Sequence, residues 1–155
     1  MNFFKRFFSK NKTLIQCPRC LGKGHVDQDD IKRLRQELKW RPGKCAYCNG
    51  KGEVESDMIS KVAVDEAYLA TNLSQTERER LINRDFRALE RMREFNAETD
   101  QIIEEIKELH FVRKLDVEQI TRLYLQSTPG LGPENYFERK RELMEYISKV
   151  IAHTK

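Results

Sequence analysis

Cys17-Pro18-Arg19-Cys20-Leu21-Gly22-Lys23-Gly24 and Cys45-Ala46-Tyr47-Cys48-Asn49-Gly50-Lys51-Gly52 are two copies of one eight-residue pattern, C-x-x-C-x-G-x-G. Together they use all four cysteines of the chain, and 24 residues separate the two pairs. Four thiolates in two C-x-x-C pairs are the set that closes a tetrahedral structural zinc site with no position left for water or substrate. The reading is therefore one structural Zn2+ ligated by Cys17, Cys20, Cys45 and Cys48. The glycines sharpen it. A chain that grips a metal with two thiolates must turn tightly and aim backbone N–H groups at sulfur, and glycine reaches the positive φ and the close approach that this needs.

Three other uses of the cysteines compete: structural disulfides, a dithiol redox pair, and four unrelated buried thiols. No secretory signal is visible, which points to a reducing cytoplasm and against disulfides. A thioredoxin-like C-x-x-C needs a βαβ setting, and neither flank offers one. Zinc is favoured over an iron–sulfur cluster because paired knuckles at this spacing read as a zinc site.

The repeated C-x-x-C-x-G-x-G resembles the cysteine-rich zinc region of the DnaJ chaperone family over residues 17–52, about a quarter of the chain. In that family the motif normally occurs four times and binds two zincs; two copies suffice for one. The resemblance implies a small extended β-hairpin module that helps hold non-native polypeptide or a client protein. The chain has no His-Pro-Asp tripeptide, so the J-domain contact that stimulates the seventy-kilodalton heat-shock chaperone has no carrier. The Gly/Phe-rich linker and the β-sandwich client domains of the family have no counterpart either.

The chain has 155 residues, 35% of them charged and 39% hydrophobic, as expected of amphipathic helices with solvated outer faces. Its net charge of +4 hides an asymmetry: residues 1–56 carry 13 Lys/Arg against 6 Asp/Glu, and residues 57–155 carry 16 against 19. The two parts face different partners or each other. Three regions follow: a basic, aromatic segment 1–12, a zinc module 13–56 with a helical insert, and an α-helical domain 57–155. In the first, Phe3/Phe7 and Phe4/Phe8 stack at i, i+4 on a helix beside Lys5, Arg6 and Lys10, a composition suited to peripheral contact with anionic lipid. Packing of these phenylalanines on the protein's own helices is the alternative. The segment is too short to span a bilayer.

Around the knuckles, Thr13–Gln16, His25–Asp27 and Gly52–Glu55 read as short strands. Between them, Asp29 or Asp30 can cap a helix through Ile31, Leu34, Leu38 and Trp40 that ends at Pro42-Gly43. Arg33, Arg35, Lys39, Arg41 and Lys44 crowd this insert alongside Trp40 and Tyr47. Cations interleaved with aromatics grip phosphates and stack bases in single-strand binders, whereas a solvated helix face with Trp40 packed on the zinc module is the other reading.

Beyond Ser56 the punctuation is helical. Ser56 or Asp57 caps a helix through Ile59, Val62, Ala63, Ala67 and Leu69. Ser74-Gln-Thr-Glu77 forms a capping box that opens a helix with Ile82, Phe86, Leu89 and Met92 on one side. A third helix follows Asn96 with Ile102, Ile103, Ile106 and Leu109 inward. Asp116-Val-Glu-Gln119 caps a fourth carrying Ile120, Leu123 and Tyr124. Pro133 begins a last one through Phe137, Met144, Ile147 and Ile151. The fold class is mainly α: a β-hairpin zinc module followed by an antiparallel helical bundle.

No catalytic constellation assembles from this pattern. Glu104, Glu105 and Glu108 near His110 lack a second Glu-x-x-His, and Gly130-Leu-Gly132 sits between prolines after a helix, unlike a phosphate loop. The sequence thus points to a zinc protein that acts by binding a polypeptide in the manner of a chaperone-like adaptor, with nucleic-acid or ribosome binding through the basic insert as the alternative.

Overall fold

The computed structural model describes residues 13–154, of which the larger part is helical. The chain divides into two compact units, residues 1–93 and 94–155, and the division falls inside the longest helix. The boundary expected at 56/57 lies within the first unit.

The first unit is built on four short strands: β1 (Leu14–Gln16), β2 (His25–Val26), β3 (Gly43–Lys44) and β4 (Glu53–Glu55). The strands flanking each knuckle do not pair with one another to make a local hairpin. β1 pairs antiparallel with β4, in register Ile15 opposite Val54, and β2 with β3, Val26 opposite Gly43. The strand entering one knuckle thus runs beside the strand leaving the other. Side chains on the inner face of these pairs, Val26 and Val54, are buried while Leu14 and His25 are exposed, the alternation of a half-solvated antiparallel pair.

The insert between the knuckles is less helical than its pattern suggests. Helix α1 covers only Gln28–Arg33. Asp27, not Asp29 or Asp30, is its N-cap: the Asp27 carboxylate accepts from the Asp30 N–H, and Asp30 accepts in return from the Asp27 N–H. The helix ends at its C-cap Leu34; Arg35 then turns into the left-handed region at φ 57°, the Gln36 N–H donates back to the Ile31 carbonyl, and Lys39 and Trp40 follow in turns that close on the Gln36 carbonyl.

A second short helix, α2 (Met58–Lys61), ends at Val62, whose backbone is extended. The long helix expected through Ala67 and Leu69 is absent, and residues 62–73 run irregularly. Helix α3 (Gln75–Ile82) is capped by Ser74 Oγ, which accepts from the Glu77 N–H. Glu77 does not reach back to complete a box. It is taken by Arg91 at 2.8 Å through both oxygens and by the Tyr68 hydroxyl at 2.9 Å. A left-handed Arg84 separates α3 from α4 (Phe86–Lys107), so Phe86 lies outside and exposed, while Ile82, Leu89 and Met92 pack against the core.

α4 passes through Asn96 without a break, since asparagine inside a helix costs only about 0.5–0.7 kcal/mol relative to alanine. It buries Ile103 and Ile106 but leaves Ile102 exposed, then widens into a π turn over Glu108–Val112. Helices α5 (Val117–Gln126) and α6 (Pro133–His153) complete the second unit and pack on one another. Asp116 and Gln119 form the full capping box of α5, and Pro133 occupies the first turn of α6. Ile120, Leu125, Ile147 and Val150 are buried; Leu123 and Phe137 are exposed. Among the described residues no helix is long and apolar enough to cross a membrane.

Candidate metal centre

Cys17, Cys20, Cys45 and Cys48 are all buried, and their sulfurs lie within 4.8 Å of one another. The Cys17–Cys45 and Cys20–Cys48 sulfur separations are 3.9 and 3.8 Å. Four thiolates about 2.3 Å from one ion in a tetrahedron stand about 3.8 Å apart, so the four cysteines are positioned to hold a single metal ion. Among the described residues no other group of three or more metal-ligating side chains converges.

The backbone is arranged around this set with approximate twofold symmetry. The Gly24 N–H donates to Cys20 Sγ at 3.3 Å, and the Gly52 N–H to Cys48 Sγ at 3.2 Å. The Cys17 N–H donates to the Gly52 carbonyl and the Cys45 N–H to the Gly24 carbonyl, so each knuckle closes on the glycine that ends the other. The same crossing explains why those two positions are glycine. Both have φ near 80°, and a Cβ on Gly24 would lie 2.6 Å from the Gly50 carbonyl oxygen, one on Gly52 2.5 Å from that of Gly22.

As thiols the four are unequal. The sulfur–sulfur contact with Cys45 brings Cys17 down to about 5, and the same contact, together with burial, drives Cys45 far up. Burial also raises Cys20.

The middle residues of the two motifs, Arg19 and Tyr47, occupy equivalent places and both point into the core. Arg19 is 2% exposed. Its guanidinium donates to the carbonyls of Val64 at 2.8 Å, Glu66 at 3.0 Å and Leu69, lies 4.2 Å from the centre of the Trp40 ring and 5.2 Å from that of Tyr47. The Tyr47 hydroxyl donates to the Val62 carbonyl at 2.7 Å, and Trp40 Nε1 to that of Ala67 at 3.4 Å. Five carbonyls of segment 62–69 are thereby taken by side chains of the two knuckles and the segment between them. A helix there would have used those carbonyls itself, which is why this segment is irregular. Burial pulls Arg19 down to about 10, opposed by the neighbouring Cys45 and Cys17, and it remains a cation at neutral pH. Burial pushes Tyr47 up to about 12.

Two further arginines complete the symmetry. Arg33 donates to the Arg19 carbonyl at 2.6 Å and the Pro18 carbonyl at 3.4 Å. Arg78, from α3, donates to the Ala46 carbonyl at 2.6 Å and the Tyr47 carbonyl at 2.9 Å. With the knuckle N–H groups aimed at sulfur, the two middle carbonyls of each C-x-x-C face outward, and one guanidinium fork spans each pair. Arg33 was a candidate phosphate ligand from sequence; here it is a knuckle clamp that also meets Asp30 at 3.2 Å. Arg19 and Arg78 escaped sequence reasoning. The only available signal was that the x-x residues of the motif must turn either in or out.

Of the remaining basic candidates, Lys39, Arg41 and Lys44 line one cleft with Trp40 and Arg19, while Arg35 lies exposed at the end of α1 and outside it. Phe3, Phe4, Phe7 and Phe8 fall outside the described residues. His25 is exposed in β2 and is not in the cysteine cluster. His110 bonds through Nδ1 with the Leu115 carbonyl, and Glu104, Glu105 and Glu108 are engaged by Lys107, Tyr124 and Arg113. No family model, curated protein or solved structure matches this chain, so its likeness to the DnaJ zinc region rests on the two C-x-x-C-x-G-x-G motifs alone.

Proposed function

We propose that the chain is a zinc-stabilised, non-catalytic interaction protein, a chaperone-like adaptor whose DnaJ-type zinc module holds a polypeptide in the cytoplasm. The carrying observation is the closed sulfur set: four buried cysteines at tetrahedral spacing, wrapped by glycine N–H groups, leave no coordination position for a substrate. Chemistry at the metal is thereby disfavoured, and display of a surface by the metal is favoured. Two apolar side chains support a polypeptide as the partner. Leu14 on β1 and Leu21 at the tip of the first knuckle are each at least half exposed. The helices of residues 94–154, read as an antiparallel bundle, serve as scaffold.

The test has two readouts on the purified full-length chain. Metal analysis is expected to give one zinc per chain. Light scattering of a thermally unfolding model enzyme is expected to fall in the presence of the zinc-loaded protein and to recover with a Leu14→Ser/Leu21→Ser variant that keeps its zinc. A zinc-loaded protein that neither suppresses aggregation nor binds unfolded polypeptide overturns the adaptor reading, and a protein without zinc overturns the metal reading.

Nucleic-acid binding is the second reading, supported by the convergence of Lys39, Arg41 and Lys44. Its signature is an affinity for oligonucleotides that falls steeply with salt.

A further inference from the structure

The cleft that gathers Lys39, Arg41 and Lys44 has no part in holding the cysteines. Its volume is about 300 Å3, at the lower end of the range for small-molecule sites. Lys39, Arg41 and Lys44 line it together with Arg19, and Thr71 and Asn72 add short polar groups. Trp40, Val26, Ala46 and Ala70 make the rest apolar. No Asp or Glu is found among its described lining residues. Arg41 and Lys44 are exposed, and neither has an ion-pair partner among the described residues. Arg41 and Lys44, like charges on a concave surface lined by no carboxylate, repel one another and raise the local concentration of anions.

Two glycines pack against residues of the cleft. Thr71 packs over Gly43, where a Cβ would come within 3.3 Å of its methyl, and the Lys44 stem lies across Gly50, where a Cβ would be 3.0 Å from Cε.

We propose that this cleft binds a small phosphate monoester, with the phosphate between Arg41 and Lys44 and the organic part against Val26, Ala46 and Ala70. A monoester carries close to two negative charges at neutral pH, matching one guanidinium fork and one ammonium point charge. A single strand of nucleic acid fits less well. Trp40 is only 7% exposed and is covered on one face by Arg19, so it offers no platform for a base. Arg33 is committed to the first knuckle and Arg35 stands off the cleft, so the cations do not form a track for a backbone. The proposal does not rest on the adaptor reading, and its readouts are separate from aggregation suppression.

Trp40 is the sole tryptophan of the chain, so its indole N–H gives one cross-peak that reports the cleft in the zinc-loaded full-length protein. Ribose 5-phosphate is expected to shift it saturably at millimolar or lower concentration, and ribose is expected to leave it in place. Arg41→Gln/Lys44→Gln should weaken the response by about tenfold or more, Arg41→Lys by less, and Lys32→Gln/Arg35→Gln not at all. Circular dichroism and zinc content show whether each variant folds, and the single variants keep the question answerable if the double does not. The proposal fails if ribose 5-phosphate gives no saturable shift, if ribose matches it, or if the cleft variants bind as tightly as the parent. It also fails if inorganic phosphate binds equally well, or if only oligothymidylate binds and does so with a steep salt dependence.

Discussion

Residues 13–93 and residues 94–154 reach order by different physics. In the first unit the elements before α4 are short, none exceeding the eight residues of α3, and many tertiary bonds run from a side chain to a distant carbonyl. In the second, helices of 10 and 21 residues satisfy their own backbones and meet through Ile120, Leu125, Ile147 and Val150. A helix too short to be stable in isolation must borrow stability from its surroundings. The first unit borrows from four sulfurs and three arginines, whereas the second draws on apolar stripes and end caps. The lesson is that the same chain is legible by local pattern in one half and by long-range partner in the other.

Removing the metal should separate the halves most sharply. Structural zinc sites contribute on the order of 10 kcal/mol of binding energy that is also folding energy. Chelation or Cys17→Ser is expected to collapse the dispersed amide resonances of residues 13–93 while the far-ultraviolet helical signal of residues 94–154 persists. If the knuckle resonances survive without metal, sulfur is not what organises the first unit.

Arg19→Met comes next. It leaves the Val64, Glu66 and Leu69 carbonyls without their donor in a buried place, for an expected loss of about 3–5 kcal/mol in denaturant unfolding of the first unit. A loss under about 1 kcal/mol would mean that water replaces the guanidinium at little cost. Gly24→Ala should be smaller, about 2–3 kcal/mol, because a Cβ 2.6 Å from the Gly50 oxygen forces the two knuckles apart and adds left-handed strain. Zinc affinity measured by competition with a chelator should fall with it, a readout that a purely local strain would not move.

The smallest effect belongs to the second unit. Asp116→Ala removes the acceptor for the Gln119 N–H and should cost about 1 kcal/mol, seen in thermal melting of α5 resonances with those of the knuckles unchanged. Were the knuckle resonances to melt at the same lowered temperature, the two units would be one cooperative body and the contrast between them would fail.

The two motifs named the cysteine set, and Pro133, Asp116 and Ser74 named helix starts, because each of these signals acts within a few residues of itself. Where the structure departs from the local pattern, a distant group intervenes. A cap at Ser56 or Asp57 and the apolar spacing favour a helix through Ala67 and Leu69, but Arg19, Trp40 and Tyr47 take the carbonyls it needs. The Ser74–Glu77 box was half right because Arg91 and Tyr68 outbid the N-cap for the Glu77 carboxylate. The five basic residues of the insert looked alike on the page, yet Arg33 clamps the first knuckle, Arg35 bends the chain, and Lys39, Arg41 and Lys44 share a cleft.

By itself, then, the amino-acid order determined which atoms can bind a metal, where glycine must stand, and where helices can begin, since thiolate chemistry, positive φ and end-capping are properties of a residue and its immediate neighbours. Only the tertiary structure decided that the strands of one knuckle pair with those of the other, that Arg19 and Arg78 are internal donors, and which cations face a common cavity. Those outcomes depend on groups tens of residues apart competing for the same carbonyls, and that competition is resolved only when the chain is folded.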